Sequence, residues 1–260
     1  MVGQSSLRVE IDGQAATVES LWSVEGSYGH FTAMQVRDRR VRALDLHLAR
    51  LKEGSHVLFD AGLDGERVRE LIQHALGDDA RDASVRVYVF ASESDVPSVM
   101  VTVRDPASMP SSPHSLQSVP YQRSLAHIKH LGDFGQTYYG RVATRNGFDE
   151  ALLVGPDGVV AEGSITNIGF VDGNTIVWPD APALHGISMQ VLKRELSTVS
   201  IAWSHRSVHV ADIGSFDGAF VTNSRGIAPV GCVNETILPT NVELVSTVMR
   251  LFDAAPWDPI

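Results

Sequence analysis

Ser84–Phe90 (SVRVYVF) and Ser98–Val103 (SVMVTV) alternate apolar and other side chains, the period of a strand with one face buried. Phe31–Arg37 predicts another strand. Leu7–Val9 and Ala16–Glu19 flank Asp12-Gly13, a pair suited to a tight turn, and predict a hairpin. Leu44, Leu48, Leu51 and Leu58 recur near helical spacing with charges between them. Val68, Leu71, Ile72, Ala75 and Leu76 mark a second helix that stops at Gly77.

The second half of the chain predicts a helix over Phe134–Asn146, then two hairpins. The first pairs Glu150–Val154 with Val159–Glu162 around Pro156-Asp157-Gly158. The second pairs Asn167–Val171 with Thr175–Trp178 around Asp172-Gly173-Asn174. Gly186 opens a helix with Ile187, Val191, Leu192 and Leu196 on one face. Gly218–Val221 reads as a strand and Val242–Phe252 as a closing helix. Between the halves, Asp105–Pro120 is rich in Pro and Ser with little periodicity, so it predicts a linker. The expected organisation is therefore an α+β protein with a small N-terminal domain over 1–104, a linker over 105–120 and a C-terminal domain over 121–260. Hairpins mixed with helices do not make a βαβ series, and neither a Gly-x-Gly-x-x-Gly nor a P-loop pattern occurs.

Composition narrows the function classes. A net charge of −10 argues against a nucleic-acid binder and a polybasic membrane anchor. One cysteine, Cys232, excludes an intrachain disulfide and a Cys-based zinc site, and it reads as a buried structural thiol. Residues Met1 to Ile11 lack the pattern of a signal peptide, and no run approaches the roughly 18 apolar residues of a membrane helix. A cytoplasmic protein is expected.

Only three basic residues are lysines: Lys52, Lys129 and Lys193. Lys52 and Lys193 sit among charged neighbours on predicted helices and read as solvated charges. Lys129 lies in SLAHIKHLGDFG between Ile128 and Leu131, just past the predicted linker. Apolar surroundings would lower its pKa and make it a nucleophile toward an aldehyde. His127 and His130 flank it, but no third ligand for a metal is apparent, and no metal is expected. An alternative is an ordinary salt-bridge lysine.

The segments downstream of Lys129 decide between these two by resemblance. Asn146-Gly-Phe-Asp-Glu-Ala-Leu-Leu-Val precedes Gly155-Pro-Asp-Gly-Val-Val-Ala-Glu162-Gly-Ser-Ile-Thr-Asn167-Ile-Gly-Phe. Lysine and glutamate are 33 residues apart (162 − 129). With Asp45-Leu-His47-Leu-Ala-Arg50-Leu51, Leu184-His-Gly186-Ile187-Ser188 and Thr222-Asn223-Ser224, this order resembles class IV aminotransferases. That is the fold-type IV family of branched-chain and D-amino-acid aminotransferases and aminodeoxychorismate lyases, dependent on pyridoxal 5′-phosphate (PLP). The resemblance covers roughly residues 29 to 231.

The resemblance implies a two-domain fold-type IV enzyme, with a small N-terminal α/β domain and a larger, mixed, β-barrel-like C-terminal domain. It implies that Lys129 is the Schiff-base lysine and general base, and that Glu162 faces the pyridine nitrogen. Arg50, Ile187, Ser188, Asn223 and Ser224 become cofactor residues: an arginine fork, a helix amino end and a hydroxyl suit a phosphate. Thr32, Gln35, His130 and Arg225 become candidate substrate residues, and His47 reads as structural. Gly163 and Gly186 read as close-approach positions, Gly163 beside the cofactor. The chain departs from the family at Gly132, Asp133 and Phe134 after the lysine, which leave a hydroxyl partner for the PLP phenolate unassigned, and at Met189 and Gln35, where relatives carry arginine. The resemblance thus implies a homodimeric transaminase acting on an amino acid and a 2-oxo acid. The alternatives are an aminodeoxychorismate lyase releasing pyruvate and 4-aminobenzoate, or a PLP-binding paralogue without turnover.

Overall fold

The structure is a computed structural model that describes residues 7–22, 24, 28–91 and 96–260. The chain forms two compact units. The first comprises 1–107, 128–132 and 256–260, and the second 108–127 and 133–255.

In the first unit β1 (Arg8–Ile11) and β2 (Gln14–Ala15) form the expected hairpin, with Asp12 and Gly13 at φ 49° and 79°. Its second strand, Gln14–Ala15, lies wholly before the predicted Ala16–Glu19. Thr17 and Ser20 exchange side-chain and backbone bonds that open a helix, α1 (Val18–Trp22), in place of the strand expected over Ala16–Glu19. Then come β3 (Gly29–Arg37), β4 (Arg40–Val41), α2 (Leu44–Phe59), α3 (Gly65–Leu76), β5 (Ala83–Phe90) and β6 (Ser98–Arg104). The sheet order is β4-β3-β5-β6-β1-β2, and a C-terminal strand, Asp258–Pro259, pairs with β4.

Alternation sets the two faces of this sheet. Met34, Val36, Val85, Val87, Val89, Val99 and Val101 point inward and pack with Leu44, Leu51, Val68 and Ile72 from α2 and α3. Phe31, Ala33, Arg86 and Tyr88 lie on the opposite face. The Asp258 carboxylate accepts from Leu44 N at 3.0 Å and so satisfies the start of α2, whose preceding Ala43 offers no cap.

The second unit begins inside the predicted linker. Residues 105–120 are not all connector, because His114–Pro120 is a strand, β7, paired in parallel with β8 (Glu150–Val154). The Pro/Ser composition hid it: only Leu116 and Val119 mark its buried side. After β7 come α4 (Phe134–Arg145), β8, β9 (Val160–Gly163), β10 (Asn167–Asp172), β11 (Thr175–Pro179), α5 (Ile187–Thr198), β12 (Ala202–Arg206), β13 (Gly218–Asn223), β14 (Gly226–Val233), β15 (Thr236–Ile237) and α6 (Glu243–Ala254). They build a nine-stranded mixed sheet in the order β12-β11-β10-β13-β14-β7-β8-β9, with β15 on β14. Apart from the exposed β12 and β15, its strands are largely buried, with α4, α5 and α6 packed on the sheet. Leu116, Leu152, Ile168, Phe170, Val221 and Val230 form its main core. Cys232 on β14 is a half-buried free thiol, less enclosed than expected.

Candidate active site

In the first unit the lysine segment is held by backbone bonds. Phe31 N donates to Lys129 O at 2.9 Å, and Leu131 N donates to Gly29 O at 2.8 Å, so residues 129–131 add to β3 at its amino end. Gly29 is required there, since a Cβ would lie 2.4 Å from Val89 O and 3.0 Å from a Leu131 methyl. Lys129 is half-buried, with Nζ 4.8 Å from the centre of the Phe31 ring. Phe31 stacks on Tyr88, and the Arg86 guanidinium lies 5.9 Å from the same ring.

The other first-unit candidates divide. Thr32 is not on the lysine's face. It points inward, fully buried, and its Oγ1 lies 2.6 Å from His47 Nδ1. The strand alternates, so Phe31 and Thr32 must point oppositely, and Thr32 is corrected to a core hydroxyl. Gln35 is also corrected from a substrate residue to a brace: Nε2 donates to Ser84 Oγ at 3.0 Å, and Oε1 accepts from Ala107 N at 2.9 Å. Arg50 is half-buried on α2. His130 is half-buried and bridges to His30 through the backbone. Beneath it, His30 Nε2 lies 3.1 Å from Ser55 Oγ. Burial pushes the pKa of His30 down to about 4. Burial, with the Arg50 charge adding, pushes His47 down to about 3.

In the second unit Glu162 is the centre of a buried polar cluster. Its Oε1 accepts from Arg123 Nη1 at 3.4 Å. Its Oε2 accepts from Asn167 Nδ2 at 3.3 Å and Leu184 N at 3.2 Å. Asn167 Nδ2 also donates to Leu184 O at 2.7 Å, which ties the strand to the approach of α5. Gly186 is the N-cap of that helix and supplies no side-chain cap, leaving the first-turn N–H groups to other partners. A Cβ on Gly186 would lie 1.9 Å from Asn167 Oδ1, so glycine is needed for this approach.

Ile187 and Ser188 open α5. The Ser188 hydroxyl donates to Asn223 O at 2.8 Å, which ties the start of α5 to the 223–225 turn. Asn223 Oδ1 accepts from Arg225 N at 2.8 Å, which bends the chain at Ser224. Arg225 O in turn accepts from Met109 N at 2.9 Å.

Two functional positions escape a reading of the sequence. Arg123 is one, a buried arginine paired with Glu162, whose only signal is its place six residues before Lys129. Glu150 is the other. Its Oε1 accepts from Ile165 N at 2.7 Å and from Thr166 N at 3.1 Å, so it fastens the turn that carries the chain from Glu162 to Asn167. Burial pushes its pKa up to about 7 while those donors pull against the rise. Gly163 makes its close approach to Glu150 and Thr166: a Cβ would lie 2.4 Å from Glu150 Oε1 and 2.2 Å from Thr166 Oγ1. Lys193 also departs from expectation, being half-buried between Trp178 and Trp203 instead of solvated.

Fold and residue set together define an α+β protein of the fold-type IV aminotransferase kind. The sequence matches amino-transferase class IV over residues 29–232, and the chain belongs to that family. Members of the family are PLP-dependent enzymes. Solved structures share the fold. A hypothetical aminotransferase from Mycobacterium tuberculosis in its PLP-bound form is 21% identical, with a TM-score of 0.82, over 96% of this chain and 98% of that one. A branched-chain aminotransferase from Thermoproteus uzoniensis with norvaline is 19% identical, with a TM-score of 0.83, over 96% and 95%. A protein assigned as a 4-amino-4-deoxychorismate lyase from Legionella pneumophila is 19% identical, with a TM-score of 0.82, over 90% and 93%. No curated protein matches the sequence. Among the described residues no helix is long and apolar enough to cross a membrane, and no group of three or more His, Cys, Asp or Glu side chains could hold a metal ion.

Proposed function

We propose that the chain is a PLP-dependent aminotransferase that moves an amino group between an amino acid and a 2-oxo acid, as a cytoplasmic homodimer. The observation that carries this reading is the Glu162 cluster: a buried carboxylate fixed by Arg123, Asn167 and the Leu184 amide. A carboxylate held in that way suits the protonated ring nitrogen of a pyridine. The donor set also fits the rest of the group. Lys129 is a half-buried primary amine, Arg50 offers a two-pronged cation, and α5 presents a helix amino end without a side-chain cap.

When bound, PLP supplies an electron sink for the charge left at Cα of an amino acid. Lys129 Nζ would hold the group through its aldehyde carbon and, as a free amine, would serve as the general base at Cα. Strand-like pairing of residues 129–131 with β3 fixes its backbone. Glu162 keeps the ring nitrogen protonated. Arg50 and the N–H groups at the start of α5 would each offer donors to its phosphate; the 223–225 turn lies beside Ser188. Transamination is favoured over the lyase reading because Thr32, whose place in Gly-His-Phe-Thr leans toward the lyase, is enclosed with His47.

Two variants test the proposal together. Lys129→Ala should abolish both the visible absorbance of the protein and its turnover. Glu162→Gln should keep the colour but slow single-turnover amino transfer by at least ~10²-fold, about 2.7 kcal/mol of transition-state stabilisation. A coloured, active Lys129→Ala protein would sink the lysine assignment, and a wild-type rate in Glu162→Gln would sink that of the glutamate.

A further inference from the structure

Lys193 takes no part in the Glu162 cluster or in the lysine segment of the first unit. It lies on α5, and its Nζ is 2.7 Å from Nε2 of His205 on β12. The indole of Trp203 lies 4.9 Å from Nζ, and that of Trp178 5.8 Å, each measured to the ring centre. Trp203 also meets the His205 ring edge-on, 5.9 Å between centres at 85°, and its Nε1 donates to Ser197 Oγ at 3.4 Å. Among the described residues no carboxylate pairs with Lys193.

The hydrogen bonds define the imidazole's state. His205 Nδ1 lies 3.4 Å from Pro179 O, an atom that can only accept, so a proton on Nδ1 meets it and Nε2 faces the amine. Nε2 is then the lone-pair nitrogen, and the lysine amine is its donor. A neutral imidazole that accepts from an amine is placed as a base toward it. The indole walls remove water from one side of the amine, and burial lowers the lysine pKa. These are the conditions that turn an inert surface lysine into a nucleophile. A carboxylate partner would do the opposite by holding the ammonium charged.

We propose that Lys193, with His205 as its base, is a site of covalent acylation by small activated acyl donors such as acyl phosphates. Nε2 of His205 takes a proton from the Nζ ammonium. The free amine attacks the acyl carbon, and a C–N bond forms as the acyl C–O bond breaks. The second proton leaves nitrogen with the departing phosphate, giving the amide and hydrogen phosphate, and the imidazolium returns its proton to water. The product is neutral, so the modification removes the cationic contacts that α5 makes with both indoles.

The three lysines make the experiment direct. The purified protein is incubated with acetyl phosphate near neutral pH, and acetyl occupancy at each lysine is followed by mass spectrometry. Lys52, exposed on α2, is the internal reference. Lys193 should react at least about tenfold faster than Lys52, well within what a positioned general base supplies. The ratio should collapse toward unity in urea, and His205→Phe should bring Lys193 down to the Lys52 rate in the folded protein. A native Lys193 that reacts no faster than Lys52 overturns the proposal. So does a folded His205→Phe protein whose Lys193 rate is unchanged. Should that variant fail to fold, the native-to-urea ratio of the unaltered chain decides.

Discussion

Replacing Arg123 with methionine probes the Glu162 cluster without any cofactor. Methionine keeps the length and apolar body of the side chain but removes the guanidinium. Arg123 and Glu162 side chains are 3% and 6% exposed, so the carboxylate left behind cannot recover hydration without opening the unit. Breaking a buried pair by removing one partner costs about 3–5 kcal/mol. The contact here is long, 3.4 Å, and Oε2 keeps its bonds to Asn167 and Leu184 N. The lower end, about 3 kcal/mol, is therefore expected, roughly a hundredfold in the unfolding constant. In urea that moves the midpoint down by about 1 M for a slope near 3 kcal/mol/M. Adding Glu162→Gln should restore part of the loss, because the double variant no longer buries the carboxylate that Arg123 faced. The assay is equilibrium urea unfolding of the four proteins of the cycle. An Arg123→Met midpoint within experimental scatter of the unaltered chain, or a double variant that is no better than the single, would refute the view that this ion pair holds the carboxylate.

Arg50→Ala should weaken PLP binding by roughly ten- to a hundredfold, the 1.5–3 kcal/mol of a charged hydrogen bond, with little change in the rate of fully loaded enzyme; an unchanged dissociation constant would count against phosphate binding. His30 and His47 have folded pKa values of about 4 and about 3 against 6.5 for the free side chain, so the unfolded chain binds the extra protons. Their contribution to stability is complete above pH 6.5 and falls as pH drops toward 4 and then 3, by up to about 1.4 kcal/mol per histidine per pH unit. Urea midpoints measured downward from neutral pH should show that slope, and replacing both histidines should flatten it. Sedimentation at micromolar concentration should give a dimer, and an active monomer would exclude that assembly.

How much of this protein is readable in its sequence depends on the range of the forces involved. A sheet face is written every second residue, so β5 and β6 are readable from their valines, β3 from Met34 and Val36, and the helices from their leucines. Residues whose partners are adjacent in the chain are readable too: Asp12-Gly13 turns the first hairpin because the turn needs φ above zero there. The strand β7 is hidden because its burial comes from β8 and β14, while its own composition says only Pro and Ser. Thr32 looks like a substrate residue because its neighbours match a motif, yet pleating alone turns it away from Phe31 and toward His47. Glu162 can be found by its spacing from Lys129, but Arg123 cannot, since nothing local distinguishes an arginine that will lose its water from one that keeps it. The lysines differ most in this respect. Lys129 lies between Ile128 and Leu131, whereas Lys52 and Lys193 sit beside charged residues, Arg194 and Glu195 in the case of Lys193. Its environment is decided by β11 and β12, which pair in parallel and set Trp178 opposite His205 across the strands. The register that creates this aromatic cage is fixed by hydrogen bonds between residues 27 apart (205 − 178), and no window of a helix length contains it. A charged side chain is therefore readable as chemistry only after the apolar pattern has folded and shown which charges it encloses.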